Sequence, residues 1–411
     1  MSVLSTEYRP IVLPPGKTFQ DLSTEQKLRV VFGHLDRLRQ SNGGYLSAPA
    51  GTGPDDQPDR YEVFSLRDLF LASTANEYLG EAERLLATYA LVLQLMEKFH
   101  HRIIDAITEW PAEEDYATKL LPNRYHPLSL AEVQDGHNGH QALVLGLQLY
   151  KLGDMMKHGF NLIVRPAEIH LLKDLVQYAH NSRWATDPDQ GFWHEELQVR
   201  SSTLGAMVGG MAMWQPGGYY DFRYPANRDI ARLVPIPDRL VAEGRAHLTE
   251  LLPRESADRE VDLAQLSLLW PFNVLRDDLE MQDRILEQVE GLVGEHGVKR
   301  FAGDPYCATE DGQEAEWPMG LAWLAMVLAK MVYRELERGE KPKALGTLLD
   351  RADAYLAQLN KLASDDGRIP MLYTGGEPSE TRPYATAHGL YVSAVISIRQ
   401  SRHEIEQRMR R

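Results

Sequence analysis

Cysteine is nearly absent: Cys307 stands alone in 411 residues. A lone thiol excludes any intramolecular disulfide and makes a reducing cytoplasm the expected compartment. Long apolar runs are missing too. The nearest approach, Trp323 to Tyr333, is interrupted by Lys330 and is too short for a membrane span. The opening residues, MSVLSTEYRPIVLPPGK, lack a basic segment followed by an apolar one, so no secretory signal is expected. Positive charge is in deficit, with 44 Lys and Arg against 59 Asp and Glu and a net charge of −15. That balance disfavours nucleic acid and membranes as partners and suits neutral or cationic ligands. Alternating apolar and polar residues are scarce, and the best short strand candidates lie near 298–302 and 368–373.

What is present reads as helix. Hydrophobic residues make up 43% and charged residues 25%, the composition of a globular chain. Residues 1–22 hold three prolines and no periodicity, which predicts an extended lead-in. Ser23 and Gln26 form a capping box, followed by Leu28, Val31, Leu35 and Leu38 on one helical face. Asn42-Gly43-Gly44 ends that run. Further helices are expected at about 66–79, 81–107, 139–153, 167–183 and 202–214. A run over about 228–252 is interrupted near Pro235 and Pro237. Others follow at about 261–275, 278–294, 317–337, 343–363 and 385–409. The 343–363 run shows the pattern, with Leu345, Leu348, Leu349, Ala352, Leu356 and Leu359 as its stripe. The runs at 139–153, 202–214 and 261–275 are apolar almost all round, which implies burial on both sides. A ring of inner helices wrapped by outer ones accounts for that. An α-solenoid is the alternative, but no fixed repeat period is present. No linker divides the chain, so residues 23–411 are expected to form one all-α domain.

Chemistry concentrates in Asp187–Leu204, DPDQGFWHEELQVRSSTL. A turn, the aromatic pair Phe192 and Trp193, the polar cluster His194, Glu195 and Glu196, and a Ser-Ser-Thr helix start lie within eighteen residues. An aromatic face stacks on a pyranose ring, and a shielded carboxyl can hold and donate a proton. A surface loop with solvated acids and a core Trp is the plainer reading. Arg67 and Asp68 offer paired donors and acceptors to hydroxyls, or form a helix-start ion pair. Trp317, following Glu314 and Glu316, is either a second stacking face near acids or a core residue. Tyr61 and Trp193 complete an aromatic lining. His137 and His140 in GHNGH lack a carboxylate or thiol partner set, so no metal is expected. QPGGYYDF has no Lys-Ser/Thr after it and is not a phosphate loop, and no cofactor is implied. Cys307 has no evident base and reads as inert.

Several stretches together resemble a known group. VFSLRDLFLAS resembles the aromatic-x-x-Arg-Asp motif of glycoside hydrolase family 15, the glucoamylases. LLPRESADREVDLAQLSLLWPFNV resembles a segment of the glucoamylase-like domain of phosphorylase kinase α and β subunits, as does VKRFAGDPY followed by EAEWPMGLAWL. DQGFW, SSTLG and RIPMLY fit the same series in the same order, and the resemblance covers about residues 25–400. It implies an (α/α)6 barrel with a glucose-sized pocket at one end of the ring. It also implies inverting hydrolysis of α-1,4-glucans, with Arg67 and Asp68 holding the terminal glucose and His140 near the pocket. A glucose-containing oligosaccharide or α-glucan is the implied ligand. A protein partner or homo-oligomer is the second implied association.

The resemblance also locates the reacting carboxylates. Inverting hydrolysis needs a protonated acid at the glycosidic oxygen and a carboxylate base roughly 6.5–9.5 Å away to activate water. The family's acid is the Glu directly after Trp; here Trp193 is followed by His194, and Glu195 comes next. A one-residue slip would give Glu195 the acid role. The base position falls in Pro370-Met371-Leu372-Tyr373, where Met371 cannot take a proton from water. Three readings follow. The first is a glucan-binding protein with weak or no hydrolysis. The second is an active exo-hydrolase with a displaced pair, Glu195 as acid and Glu316 or Glu314 as base. The third is a non-catalytic assembly or regulatory subunit. Whether the chain is an enzyme stays open between them.

Overall fold

Ser23 opens the first helix as the spacing requires. Its hydroxyl accepts the Gln26 N–H at 3.3 Å, and the Gln26 side chain accepts the Ser23 N–H at 3.1 Å. The computed structural model describes residues 8–53, 59–135, 139–215, 225–339 and 345–410. Helices dominate them. The strands are two-residue pieces: β1 (Phe64–Ser65), β2 (Arg124–Tyr125), β3 (Val298–Lys299), β4 (Glu316–Trp317), β5 (Tyr373–Thr374) and β6 (Glu377–Pro378). The chain divides into two compact units, residues 1–63, 71–85 and 286–411 in one, 64–70 and 86–285 in the other.

In the first unit the Pro318–Glu337 helix is the centre, with Trp323, Leu324 and Ala325 fully buried. The Gly346–Leu362 and Ala385–Arg410 helices pack on it, and the Thr24–Leu38 helix packs on the latter. An antiparallel sheet in the order β3-β4-β5-β6 sets Glu316 opposite both Lys299 and Tyr373.

In the second unit the Ala142–Lys157 and Ser201–Ala212 helices are buried all round and cross in close contact. Glycine makes that possible: a Cβ on Gly210 would lie 2.5 Å from the Gly146 carbonyl oxygen. The Asp238–Leu251 helix packs on Ser201–Ala212, and His100–Thr108 packs on Pro166–Asn181. β1 pairs with β2, Ser65 opposite Arg124.

Two expected helices are cut. The 81–107 run becomes Ala82–Lys98 and His100–Thr108, with Phe99 between them at φ −102°, ψ 17°. The 261–275 run is reduced to a 3-10 turn, Leu263–Gln265, and one α turn, Leu266–Leu269. Pro271 is the reason, because it disfavours helical backbone in the residue before it, and Trp270 is extended at φ −153°, ψ 130°. Among the described residues no helix is long and apolar enough to cross a membrane.

Candidate functional site

The 189–198 loop is pinned at its base. Asp189 and Gln198 exchange backbone hydrogen bonds of 3.0 Å each way. Arg200, buried beneath, donates to the backbone carbonyls of Asp189, Gln198 and Glu196. Inside the loop Gly191 (φ +63°) and His194 (φ +58°) are left-handed. For a non-glycine residue that conformation costs about 1–2 kcal/mol. Contacts hold His194 there: its Nε2 lies 2.9 Å from Asn123 Nδ2, and the next N–H, of Glu195, bonds Gln190 O at 2.9 Å.

Arg67 reaches the same loop from the first turn of the Leu66–Leu79 helix. The β1–β2 pairing brings Asn123 alongside, with Leu66 N–H bonding Asn123 O at 3.0 Å. Arg67 donates to Asp68 Oδ1 at 3.1 and 3.0 Å, donates to Phe192 O, and lies 5.3 Å over the Phe192 ring. Phe192 in turn meets Trp193 edge to face at 4.8 Å. The structure therefore brings Arg67, Asp68, the Phe192–Trp193 pair and His194 into one neighbourhood.

Buried acids lie behind that wall. Trp193 Nε1 donates to Asp262 Oδ1 at 2.8 Å, and Arg259 bridges Asp262 at 2.6 Å and Glu195 at 2.9 Å. Glu195 is thus engaged by a guanidinium rather than held in an apolar slot. Glu255 accepts from the Ser201 hydroxyl at 2.7 Å and from the Ser202 N–H at 3.1 Å, capping the Ser201–Ala212 helix from outside its own segment. Burial, reinforced by the nearby Asp262 charge, pushes Glu255 up to about 8; burial also raises Asp262. His140 is buried, donates Nδ1–H to Pro188 O at 2.9 Å, and meets Trp110 and Tyr116 edge-on at 5.5 and 5.7 Å. His137 and most of QPGGYYDF lie outside the described residues. Among the described residues no cluster of three or more His, Cys, Asp or Glu is arranged to hold a metal.

The first unit carries the remaining candidates. Tyr61 and Tyr306 share a hydroxyl hydrogen bond of 2.9 Å. Arg300 grips Asp304 at 2.6 and 2.5 Å and lies 4.7 Å over Tyr306 and 5.6 Å over Trp317, whose rings stack at 6.2 Å. Trp317 is itself buried. Glu314 accepts from Lys299 at 2.9 Å and Gly303 N–H at 3.0 Å, and these bonds hold its carboxyl down at about 2. The Glu316 carboxylate packs against Gly294 and accepts the His296 N–H. Met371 is buried, its N–H bonded to Thr381 O at 3.0 Å, two residues before β5. A thioether there neither takes nor gives a proton.

Sequence reasoning had not named Asn123, Glu255, Asp262, Arg300, Asp304 or Tyr306 as site residues. VKRFAGDPY holds the last three and could have supplied them. The Asn123–His194 contact joins residues 71 apart and leaves no local signal.

The fold these elements build is the glucoamylase-like (α/α)6 barrel. A glycosidase variant in complex with glucose superposes with a TM-score of 0.68 at 17% identity, covering 92% of this chain and 99% of that one. A glucoamylase from Saccharomycopsis fibuligera superposes at 0.62 and 13% identity, covering 98% and 99%. In sequence the chain is similar to a probable phosphorylase b kinase regulatory subunit alpha from Caenorhabditis elegans, 24% identical over 290 residues. That match takes in 63% of this chain and spans only 23% of the relative. No family model matches the chain. Identities this low establish the fold, not the reaction.

Proposed function

We propose that the chain binds a glucose-containing oligosaccharide or α-glucan and hydrolyses it weakly or not at all. The observation that carries this is a contrast. Arg67 and Asp68 remain assembled beside the Phe192–Trp193 wall, while His194, fastened by Asn123, and buried Met371 are the residues that the sequence resemblance aligns with the acid and the base. Losing general acid–base assistance typically costs on the order of 100- to 10,000-fold in rate. The other candidate carboxylates substitute poorly. Glu195 is tied to Arg259, and Glu314, held at about 2, is a weak base for water. Glu316 is the remaining candidate base for the displaced-pair reading. Tyr61 and Trp317 in the first unit and His140 in the second are further sugar-binding residues of the proposal. A cytoplasmic location, proposed from the lone cysteine, fits soluble glucans.

Calorimetric titration with maltose, maltotriose and longer glucans tests the binding, with glucose release followed on the same preparation. A few hydroxyl hydrogen bonds plus ring stacking lead to dissociation constants of roughly millimolar to micromolar. Glucose release at ordinary enzyme rates would overturn the weak-hydrolysis claim, and Glu316→Gln would then be expected to abolish it. Similarity to a regulatory subunit supports a second reading, an assembly subunit with a vestigial site. Absence of heat with every glucan would leave that reading standing.

A further inference from the structure

A cleft of about 600 Å³ opens in the first unit, between the last turn of the Thr24–Leu38 helix and the segments around residues 49–52, 366–368 and 382–383. That size lies in the range of small-molecule sites. Three guanidiniums line it, Arg37, Arg368 and Arg382, in a chain whose net charge is −15. Their neutralisation is uneven. Arg368 is paired with Asp366 at 2.9 Å, and Asp366 is fixed in turn by the Ser364 hydroxyl at 2.6 Å. Arg382 meets Glu380 at 3.1 Å, but that carboxylate is 78% exposed and free to swing away. Arg37 is exposed, and among the described residues its side chain makes no ion pair or hydrogen bond. His34 on the floor donates Nε2–H to Asp366 O at 2.8 Å, and burial lowers its pKa, so it adds no charge.

We infer that this cleft binds a small phosphoryl-bearing molecule with an apolar or flat body, its phosphoryl group spanning Arg37 and Arg382 in place of the Glu380 carboxylate. Arg37, already unpaired, and Arg382, once it leaves Glu380, together call for a dianion, and a phosphate monoester carries about −1.5 to −2 near neutral pH. Arginine forks match its oxygens in pairs. Leu38, Leu46, Pro49, Ala50 and Pro383 give the rest of the ligand an apolar surface, while the Thr52 hydroxyl is committed to Pro49 O at 2.7 Å and Asp366 to Ser364 and Arg368, so an apolar or flat body fits there. The excess negative charge of the chain disfavours nucleic acid as the source of the phosphate. The cleft is separate from the glucan reading, although Thr381, next to Arg382, receives the Met371 N–H.

The test is titration calorimetry on the full chain with inorganic phosphate, phenyl phosphate and glucose 6-phosphate. Phenyl phosphate is expected to bind more tightly than inorganic phosphate, and more weakly as salt is raised. Arg37→Gln is expected to weaken it about tenfold, one charge-assisted bond lost. Arg37→Gln with Arg382→Gln should abolish binding, and Glu380→Gln should strengthen it by removing the competing carboxylate. Arg37 is exposed, so a melting temperature close to the parent's shows that the variants are folded. No heat with any probe, or equal affinity in the double variant, would overturn the site. Equal affinity for inorganic and phenyl phosphate would overturn the role given to the apolar wall. Tighter binding of glucose 6-phosphate that Asp68→Asn abolishes would also overturn the proposal, because it would place the ligand at the glucan-binding residues.

Discussion

Asp68 and Glu255 are both buried carboxylates, yet their surroundings give them opposite tasks. Asp68 takes two bonds from one guanidinium and remains beside the aromatic wall. Asp68→Asn keeps the shape and an acceptor for Arg67 while removing the charge. It is expected to weaken maltotriose binding roughly 10- to 150-fold, the equivalent of the roughly 1.5–3 kcal/mol of a charged hydrogen bond. Circular dichroism should show the fold intact; unchanged affinity would remove Asp68 from the sugar site. Glu255 instead sits against Asp262 with water excluded, and its folded pKa of about 8 lies above that of an unfolded Glu. Between about pH 4.5 and 8 the native state therefore keeps a proton that the unfolded state has released. Stability from this group is fully present below that window and falls as pH rises through it. The melting temperature is expected to drop between pH 5 and 8, and Glu255→Gln, a neutral isostere, to flatten the drop. An equally steep profile in the variant would show that Glu255 is ionised in the folded protein. The helix N-terminus it caps pulls in that opposite direction.

Elements were legible where the stop signal is chemical. The helix expected over 66–79 is found as Leu66–Leu79, and the run near 385–409 as Ala385–Arg410. The 261–275 run shows the limit: its apolar residues pack as expected, but the backbone constraint of Pro271 overrides the periodicity. Arg67 and Asp68 could be read as a pair because they are adjacent. Asn123 could not be read as a partner of His194, because only the β1–β2 pairing brings its segment there. The crossing of Ala142–Lys157 with Ser201–Ala212 was also silent, since apolar periodicity does not report how closely two backbones approach. It rests on glycine: a Cβ on Gly146 would lie 2.5 Å from the Ala206 carbonyl carbon. Gly146→Ala gains about 1 kcal/mol of helix propensity. Overpacking typically costs roughly 1–3 kcal/mol, and here the obstacle is backbone, which no rotamer change relieves. The clash wins, so the urea midpoint of Gly146→Ala is expected to fall; an unchanged or higher midpoint would show that the helices separate freely.

For the whole molecule, the proposal that residues 23–411 are one domain has a thermodynamic consequence. The two compact units are not consecutive in sequence, and the chain passes between them at 63/64, 70/71, 85/86 and 285/286. The last three of these crossings fall within helices, in Leu66–Leu79, Ala82–Lys98 and Leu279–Glu290, so each of these helices contributes residues to both units. Melting one unit would require breaking those helices midway. The new ends would leave backbone donors and acceptors without intrahelical partners. Scanning calorimetry is therefore expected to show one transition, with van't Hoff and calorimetric enthalpies equal. Two transitions would mean two domains. The same experiment bears on binding. A glucan present at 100 times its dissociation constant stabilises the native state by about 2.7 kcal/mol. If the chain is one cooperative domain that binds glucan, maltotriose should move the entire transition upward without splitting it. In Asp68→Asn the same sugar concentration should move it less, because fewer molecules are occupied. A shift confined to part of the heat absorption would refute the single domain. A transition that no glucan moves would refute the binding.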